Sequence, residues 1–171
     1  MSKNLLVTYL KEIVYGGNDG IVTTFAIVAG FSGAQRDPAN ALPAFTVLLF
    51  GFSNLFSDGV SMALGNFLSS RSVETDTSNH KVRKAPLFTS LATFISFIVF
   101  GFVPLTPYIF WQEKASFEMS IFATLLALIS LGIVRWKAGH ENVVRSVGEI
   151  VLLGGVAAVV AYMVGTMFDG I

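Results

Sequence analysis

The feature that most constrains this chain is a succession of apolar segments, each about as long as a lipid bilayer is thick. Hydrophobic residues make up 53% of its 171 residues and charged residues only 13%, whereas a soluble domain carries roughly 25% charged residues. A helix needs about 20 apolar residues to cross the hydrocarbon core, and segments of this length recur along the sequence. The pattern predicts an all-α integral membrane protein.

Turn signals and charged segments divide the chain into five predicted transmembrane helices within a single domain, residues 1–171. We place these spans at about residues 16–35, 42–69, 86–110, 117–134 and 147–168. Residues 1–15 combine Lys and Glu with regularly spaced aliphatic residues, which predicts an amphipathic interfacial helix before the first span. Pro104 and Pro107 predict a kink or an end in the third span.

The distribution of Lys and Arg predicts the orientation of these spans. Nine of the 11 basic residues lie in segments on the same side as the N-terminus, and only Arg36 and Lys114 lie on the other side. Cytosolic loops carry such an excess of positive charge, so we expect an N-in, C-out topology. The absence of a targeting segment and the short chain favour a bacterial cytoplasmic membrane, with an organellar membrane as the alternative.

Composition also excludes several function classes. A net charge of zero gives no reason to expect a nucleic-acid partner. The chain has no cysteine, which excludes disulfides and thiolate metal sites. No HExxH or GxSxG motif and no intramembrane histidine is present, so we expect neither an enzyme nor a resident cofactor.

A polar stripe inside the second span is the first candidate site. Asn54, Asp58 and Met62 follow one another at intervals of four residues, which places them on one face of a helix. A carboxylate within a membrane span is costly and therefore indicates a function. Asp58 could instead be paired structurally, but no basic residue lies inside a predicted span. Met62 could fill the core, and Asn54 could hydrogen-bond across helices.

A second carboxylate is expected at the depth of Asp58. Asp19 lies 20 residues before Ala39, the middle of the turn between the first two spans, and Asp58 lies 19 after it. With a rise of about 1.5 Å per residue, an antiparallel hairpin brings both to one level. The same count places Glu12 beside Asn66 nearer the cytosol, and Thr23 and Thr24 beside Asn54. Asp19 could alternatively be a helix N-cap at the membrane surface.

This donor set suits a divalent transition metal. Carboxylate, amide and hydroxyl oxygens with one thioether favour a cation of intermediate softness such as Fe²⁺, and they are also compatible with Mn²⁺, Co²⁺ and Zn²⁺. In the loop after the second span, Glu74, Asp76 and His80 could collect metal or could simply be solvated. Glu149 lies one turn after Arg145, which predicts a salt-bridged helix start.

Three segments resemble the vacuolar iron transporter family, whose members move Fe²⁺ or Mn²⁺ out of the cytosol. They are residues 19–34 (DGIVTTFAIVAGFSGA), 54–72 (NLFSDGVSMALGNFLSSRS) and 145–165 (RSVGEIVLLGGVAAVVAYMVG). The resemblance implies that Asp19 and Met62 line an ion path between two subunits, with Glu12 at its cytosolic mouth. Asp58 matches an acidic position found four residues before the methionine in many bacterial-type members.

Two departures from the family pattern bear on function. Plant vacuolar members insert a long glutamate-rich domain between the second and third spans, and only residues 71–85 stand there in this chain. The chain therefore resembles the shorter nodulin-like and bacterial-type branch. Some members have glutamate where this chain has Asn54, which keeps an oxygen ligand and loses a charge.

The expected function is a homodimeric, proton-coupled exporter of divalent metal, Fe²⁺ first and Mn²⁺ second, which would contribute to iron homeostasis. Two subunits would bring four carboxylates to one layer, and in a low dielectric some of these would hold protons until a metal displaces them. The alternatives are a passive divalent-metal channel and a non-transporting membrane scaffold. The expected partners are the transported metal ions, the lipid bilayer and a second copy of the chain.

Overall fold

The structure is a computed structural model that describes residues 7–35, 43–74, 85–111, 117–139 and 142–169. Within these residues every long element is helical, which confirms the all-α prediction. The elements are α1 (Leu10–Ala34), α2 (Ala44–Glu74), α3 (Pro86–Gly101), a 3₁₀ turn (Val103–Leu105), α4 (Thr106–Phe110), α5 (Phe117–Gly139) and α6 (Val143–Thr166). Residues 10–15, predicted as the end of an interfacial helix, form the first turns of α1, and residues 1–6 lie outside the described part.

Helix α1 is the centre of the fold and contacts each of the other long helices. It packs most extensively against α3 and α6 and less against α2, its neighbour along the chain. The first two predicted spans are therefore in contact, but this contact is a minor part of the packing of α1, and the predicted turn between them lies outside the described residues. Two hydrophobic clusters surround α1, one around Phe25 and Val28 and one around Ile21.

Glycines allow this close packing. A side chain added at Gly20 would collide with the backbone carbonyl oxygen of Phe97 in α3. Near the C-terminal end of α1, a side chain added at Gly165 of α6 would collide with the carbonyl oxygen of Gly30. Small residues permit such backbone contacts between membrane helices. The glycines near Asp19 therefore serve close packing.

Buried hydroxyl groups link neighbouring helices by donating hydrogen bonds to backbone carbonyl oxygens. Ser96 donates to the carbonyl oxygen of Ile13 at 2.7 Å, linking α3 to α1. Ser120 of α5 donates to that of Pro104 at 2.8 Å, and Ser146 of α6 to that of Gly132 at 3.1 Å. Pro104 lies in the 3₁₀ turn after α3, so the third predicted span is interrupted near its prolines, as expected.

Four of the helical segments in the described residues are long and apolar enough to cross a membrane: residues 44–72, 86–110, 117–138 and 143–166. Helix α1 is not among them, because Lys11, Glu12 and the sequence GGNDG lower its hydropathy. Its central position explains this composition, since the surrounding helices shield it from lipid. The outer faces carry the exposed apolar residues, among them Leu152 and Val156 of α6. Five crossings and the N-in orientation stay predictions.

Candidate metal site

Asp19 lies in the middle of a continuous helix. Helix α1 begins at Leu10 and runs without interruption through Gly16, Gly17 and Gly20, so Asp19 is in its third turn and is not a helix N-cap. Its side chain is half-buried. Thr23 donates its hydroxyl hydrogen to the backbone carbonyl oxygen of Asp19 at 2.7 Å, which leaves the Asp19 carboxylate available for other partners.

Asp58 of α2 lies close enough to Asp19 for the two carboxylates to interact electrostatically. Both side chains are half-buried. Like charges at such a distance repel in a low dielectric, so this pair favours a proton or a cation between the two helices. The Asp19 and Asp58 carboxylates thus interact between α1 and α2, and their role as metal ligands stays a prediction.

The other predicted ligands on α2 extend from this pair in both directions. Met62 is half-buried one turn after Asp58. Asn54, one turn before it, lines a cavity of about 880 Å³ between α1, α2 and the end of α6. Ser53 and Ser57 line the same cavity. Thr23 and Thr24, which the sequence places at the depth of Asn54, are not part of the cavity lining, whose α1 side begins at Ala26.

Glu12 and Asn66 lie on the predicted cytosolic side of the pair. Glu12 is buried, with 8% of its surface exposed. Asn66 donates to the Thr93 hydroxyl of α3 at 2.6 Å and accepts a hydrogen bond from Ser70 at 3.1 Å. The amide of Asn66 is therefore engaged by α3 and by its own helix. Glu74 ends α2, and Asp76 and His80 lie outside the described residues.

Within the described part of the chain, no group of three or more His, Asp or Glu side chains is close enough to hold a metal ion. One subunit supplies the carboxylate pair and the oxygen and sulfur donors on α2.

Sequence reasoning missed two features beside the pair. The first is a stripe of small residues along the exposed face of α2, recurring every fourth position: Ser53, Ser57, Ser61, Gly65 and Ser69. The spacing is visible in the sequence, but serine is too common in loops and helices for the pattern to be noticed without knowing the exposed face.

The second missed feature is Arg135, which lines a cavity together with Asp19. The fourth span was predicted to end at residue 134, whereas α5 continues to Gly139. Arg135 contacts Glu149 at 2.9 Å, and Arg145 donates to the same carboxylate at 2.9 Å. The predicted pair of Arg145 and Glu149 is thus confirmed, and a second arginine joins it.

The chain is similar to several known transporters over nearly its whole length. It is 26% identical to the vacuolar iron transporter of Toxoplasma gondii, covering 94% of this chain and 74% of the relative. It is 26% identical to vacuolar iron transporter homolog 4 of Arabidopsis thaliana, covering 90% and 81%. It is 22% identical to vacuolar iron transporter 1 of Tulipa gesneriana, covering 90% and 84%.

The lengths of these alignments separate two kinds of relative. The Toxoplasma alignment runs over 231 positions, more than this chain contains, so that relative has residues with no counterpart here. The Arabidopsis alignment runs over 167 positions, which is close to a one-to-one match. The sequence model of the VIT family matches residues 10–86 and 73–166, and its two parts meet at the loop between α2 and α3. Since these matches cover most of the chain, it belongs to the VIT family.

Proposed function

We propose that this protein is a proton-coupled exporter that moves divalent transition metal, Fe²⁺ first and Mn²⁺ second, out of the cytosol. Membership of the VIT family supports metal transport, because the relatives are named iron transporters. Because these relatives are named as transporters, their names also argue against an enzymatic function. The observation that carries the proposal is the proximity of Asp19 and Asp58 on two adjacent helices.

The ion path runs along the facing sides of α1 and α2. Glu12 stands at the cytosolic mouth, Asp19 and Asp58 form the central layer, and Met62 lies between these two levels. Asn54 leads into the wide cavity near the opposite end of the helices. Carboxylates provide most of the attraction for the cation, and the thioether favours Fe²⁺ over harder ions.

A homodimer completes the site. The stripe of small residues on α2, defined above, is exposed in the single chain, and such stripes let membrane helices approach closely. Helix–helix contact along this stripe would bring the Asp19–Asp58 pairs of two subunits to a common axis. The metal would then be held by carboxylates from both copies, which one subunit does not supply.

Proton coupling follows from the charge of that layer. Four carboxylates around one axis would hold protons in the absence of metal, because each ionised group disfavours the ionisation of its neighbours. A divalent cation needs ionised ligands and releases these protons on binding. Protons from the far side would then displace the metal there and restore the site.

The membrane arrangement belongs to the same proposal. Five spans with the N-terminus inside place Glu12 at the cytosolic surface, as export requires. A bacterial cytoplasmic membrane fits the compact form of the chain. An organellar membrane, as in the relatives named vacuolar, is the alternative.

The test is metal transport in sealed vesicles containing the purified protein, with an internal pH indicator and Fe²⁺ or Mn²⁺ added outside. The wild-type protein is expected to move protons in the direction opposite to the metal. Asp19→Asn and Asp58→Asn are each expected to reduce this flux by at least tenfold, since each loses a charged ligand. Glu118→Gln is the matched control, because Glu118 is an exposed carboxylate in the first turn of α5. This variant should transport metal normally.

The outcomes separate the proposal from its alternatives. Metal flux that does not depend on the pH gradient would indicate a passive channel. Absence of flux in the wild type, together with no metal-dependent rise in the melting temperature, would indicate a scaffold. Normal proton movement in both aspartate variants would exclude the proposed mechanism.

A further inference from the structure

A second cavity, of about 540 Å³, lies between the first halves of α1 and α6 and the end of α5. Most of its wall area is apolar and includes Leu10 and Val14 of α1 and Ile150 and Leu153 of α6, with Tyr15 and Asn18 also in the lining. Leu153 exposes 60% of its surface, so the cavity opens to the outside of the helix bundle. An apolar cleft that opens on the outer surface of a membrane protein faces lipid.

One end of this cavity is positively charged. Lys11 and Arg135 line it, and Arg135 shares the Glu149 carboxylate with Arg145. Among the residues that line the cavity, Lys11 and Arg135 are positive and Asp19 is negative, which leaves an excess of one positive charge. Glu12 is adjacent to Lys11 in sequence but does not line the cavity, and Asp19 lies two turns deeper along α1.

We propose that this cavity binds an anionic phospholipid of the cytosolic leaflet. The phosphate would lie beside Lys11 and Arg135, and one acyl chain would lie along Leu10, Val14 and the facing residues of α6. Basic pockets between transmembrane helices on the cytosolic side bind anionic head groups, and the planar guanidinium group of Arg135 suits a phosphate. With the N-terminus inside, the charged end of the cavity faces this leaflet.

The charge argues for a lipid and against a second copy of the chain at this surface. In a two-fold dimer, a patch on the axis meets the same patch of the other subunit. The positive excess would then face its own copy and repel it. An anionic head group instead complements both the charge and the aliphatic walls.

A lipid bound in this cavity would also affect the proposed metal site. Asp19 lines the inner end of the cavity, so the acyl chain would end beside this carboxylate and exclude water from that side. The composition of the membrane would thereby influence the layer at which the metal binds.

The test is thermal unfolding of the purified full-length protein in a neutral detergent, without metal, titrated with phosphatidylglycerol or phosphatidylcholine. Phosphatidylglycerol is expected to raise the melting temperature, and phosphatidylcholine is expected to have little effect. Lys11→Gln and Arg135→Gln should each weaken the response on the order of fivefold, since each removes one charge near the head group. Arg135→Lys keeps the charge and should retain most of the response.

Lys137→Gln is the matched control, because Lys137 is an exposed cation on α5 that lies outside the cavity. It should respond like the wild type. An equal response to both lipids, an equal loss in Lys137→Gln and Lys11→Gln, or the same stabilisation by glycerol phosphate alone would each overturn the proposal. Because no metal is present, the result does not depend on whether the protein transports one.

Discussion

At the scale of the residue, the sulfur of Met62 distinguishes this donor set from a site for hard cations. The remaining candidates, Glu12, Asp19, Asn54 and Asp58, all offer oxygen, which Mg²⁺, Ca²⁺ and Mn²⁺ accept equally well. Met62 lies one turn from Asp58 on α2 and is half-buried. If it acts as a ligand, its sulfur is the atom that shifts preference toward Fe²⁺.

Met62→Leu tests this role with little change in volume. Exchange of Met for Leu usually costs less than about 1.5 kcal/mol of folding stability, so the helices should pack as before. We expect Fe²⁺ transport to fall several-fold while Mn²⁺ transport changes little, because the harder ion depends less on the thioether. Competition between the two metals in proteoliposomes measures the ratio directly.

The control for this prediction is Met163→Leu, which changes an exposed methionine of α6. An unchanged ratio in Met62→Leu would mean that Met62 only fills space. A loss of both metals in equal proportion would mean that Met62 supports the geometry of the pair rather than metal selectivity.

The sequence predicted the carboxylate pair because both residues follow from counting along two helices joined by a short turn. The expected depth of Asp19 and Asp58 follows from the helical rise per residue and the position of Ala39 alone. Arg135 could not be found in this way, because its role depends on where α5 ends and on which helix it approaches. Hydropathy places the end of a span only to within a few residues, and α5 extends past the predicted end.

At the scale of the element, α1 is the helix whose surroundings could least be predicted. It is not among the four apolar segments given above, and the structure explains this by the helices that surround it. Its neighbours α3 and α6 are distant in sequence, so no local pattern identifies them. The glycines of α1 mark the faces of contact without indicating which partner each face meets.

Gly20→Ala should separate α1 from α3, because the added methyl group would collide with the carbonyl oxygen of Phe97. Overpacking of this kind costs about 1–3 kcal/mol, and we expect the melting temperature to fall by several degrees. Thermal unfolding in detergent measures this loss.

Gly155→Ala is the matched control. Gly155 of α6 has open space at the same position, with no atom within 4 Å of the added carbon. Its replacement should leave the melting temperature unchanged or slightly higher. Equal destabilisation by both substitutions would show that the close contact between α1 and α3 is not the cause.

At the scale of the whole molecule, the single chain leaves one face of α2 uncovered, and this face differs from the rest of the outer surface. The outer face of α6 carries large aliphatic side chains such as Leu152 and Val156, which suit lipid. The exposed surface of α2 also carries large apolar side chains, among them Val60, Leu64 and Leu68, but next to them it repeats the serine and glycine of the small-residue stripe. A surface of small side chains gains little from lipid and allows another helix to approach closely, so this face is the proposed dimer contact.

The chain contains no cysteine, which allows this contact to be tested by a single engineered thiol. Ser61→Cys places one thiol in the middle of the stripe, and mild oxidation in the membrane should produce a disulfide-linked dimer on a non-reducing gel. A bond requires the two Cα atoms to lie within about 7 Å, so cross-linking reports close contact of the two copies of α2. Ser130→Cys is the control, since Ser130 is exposed on α5, away from the stripe, and should stay monomeric. Efficient cross-linking at residue 130 but not at 61 would place the dimer contact on α5, and the carboxylate pairs would then not share an axis.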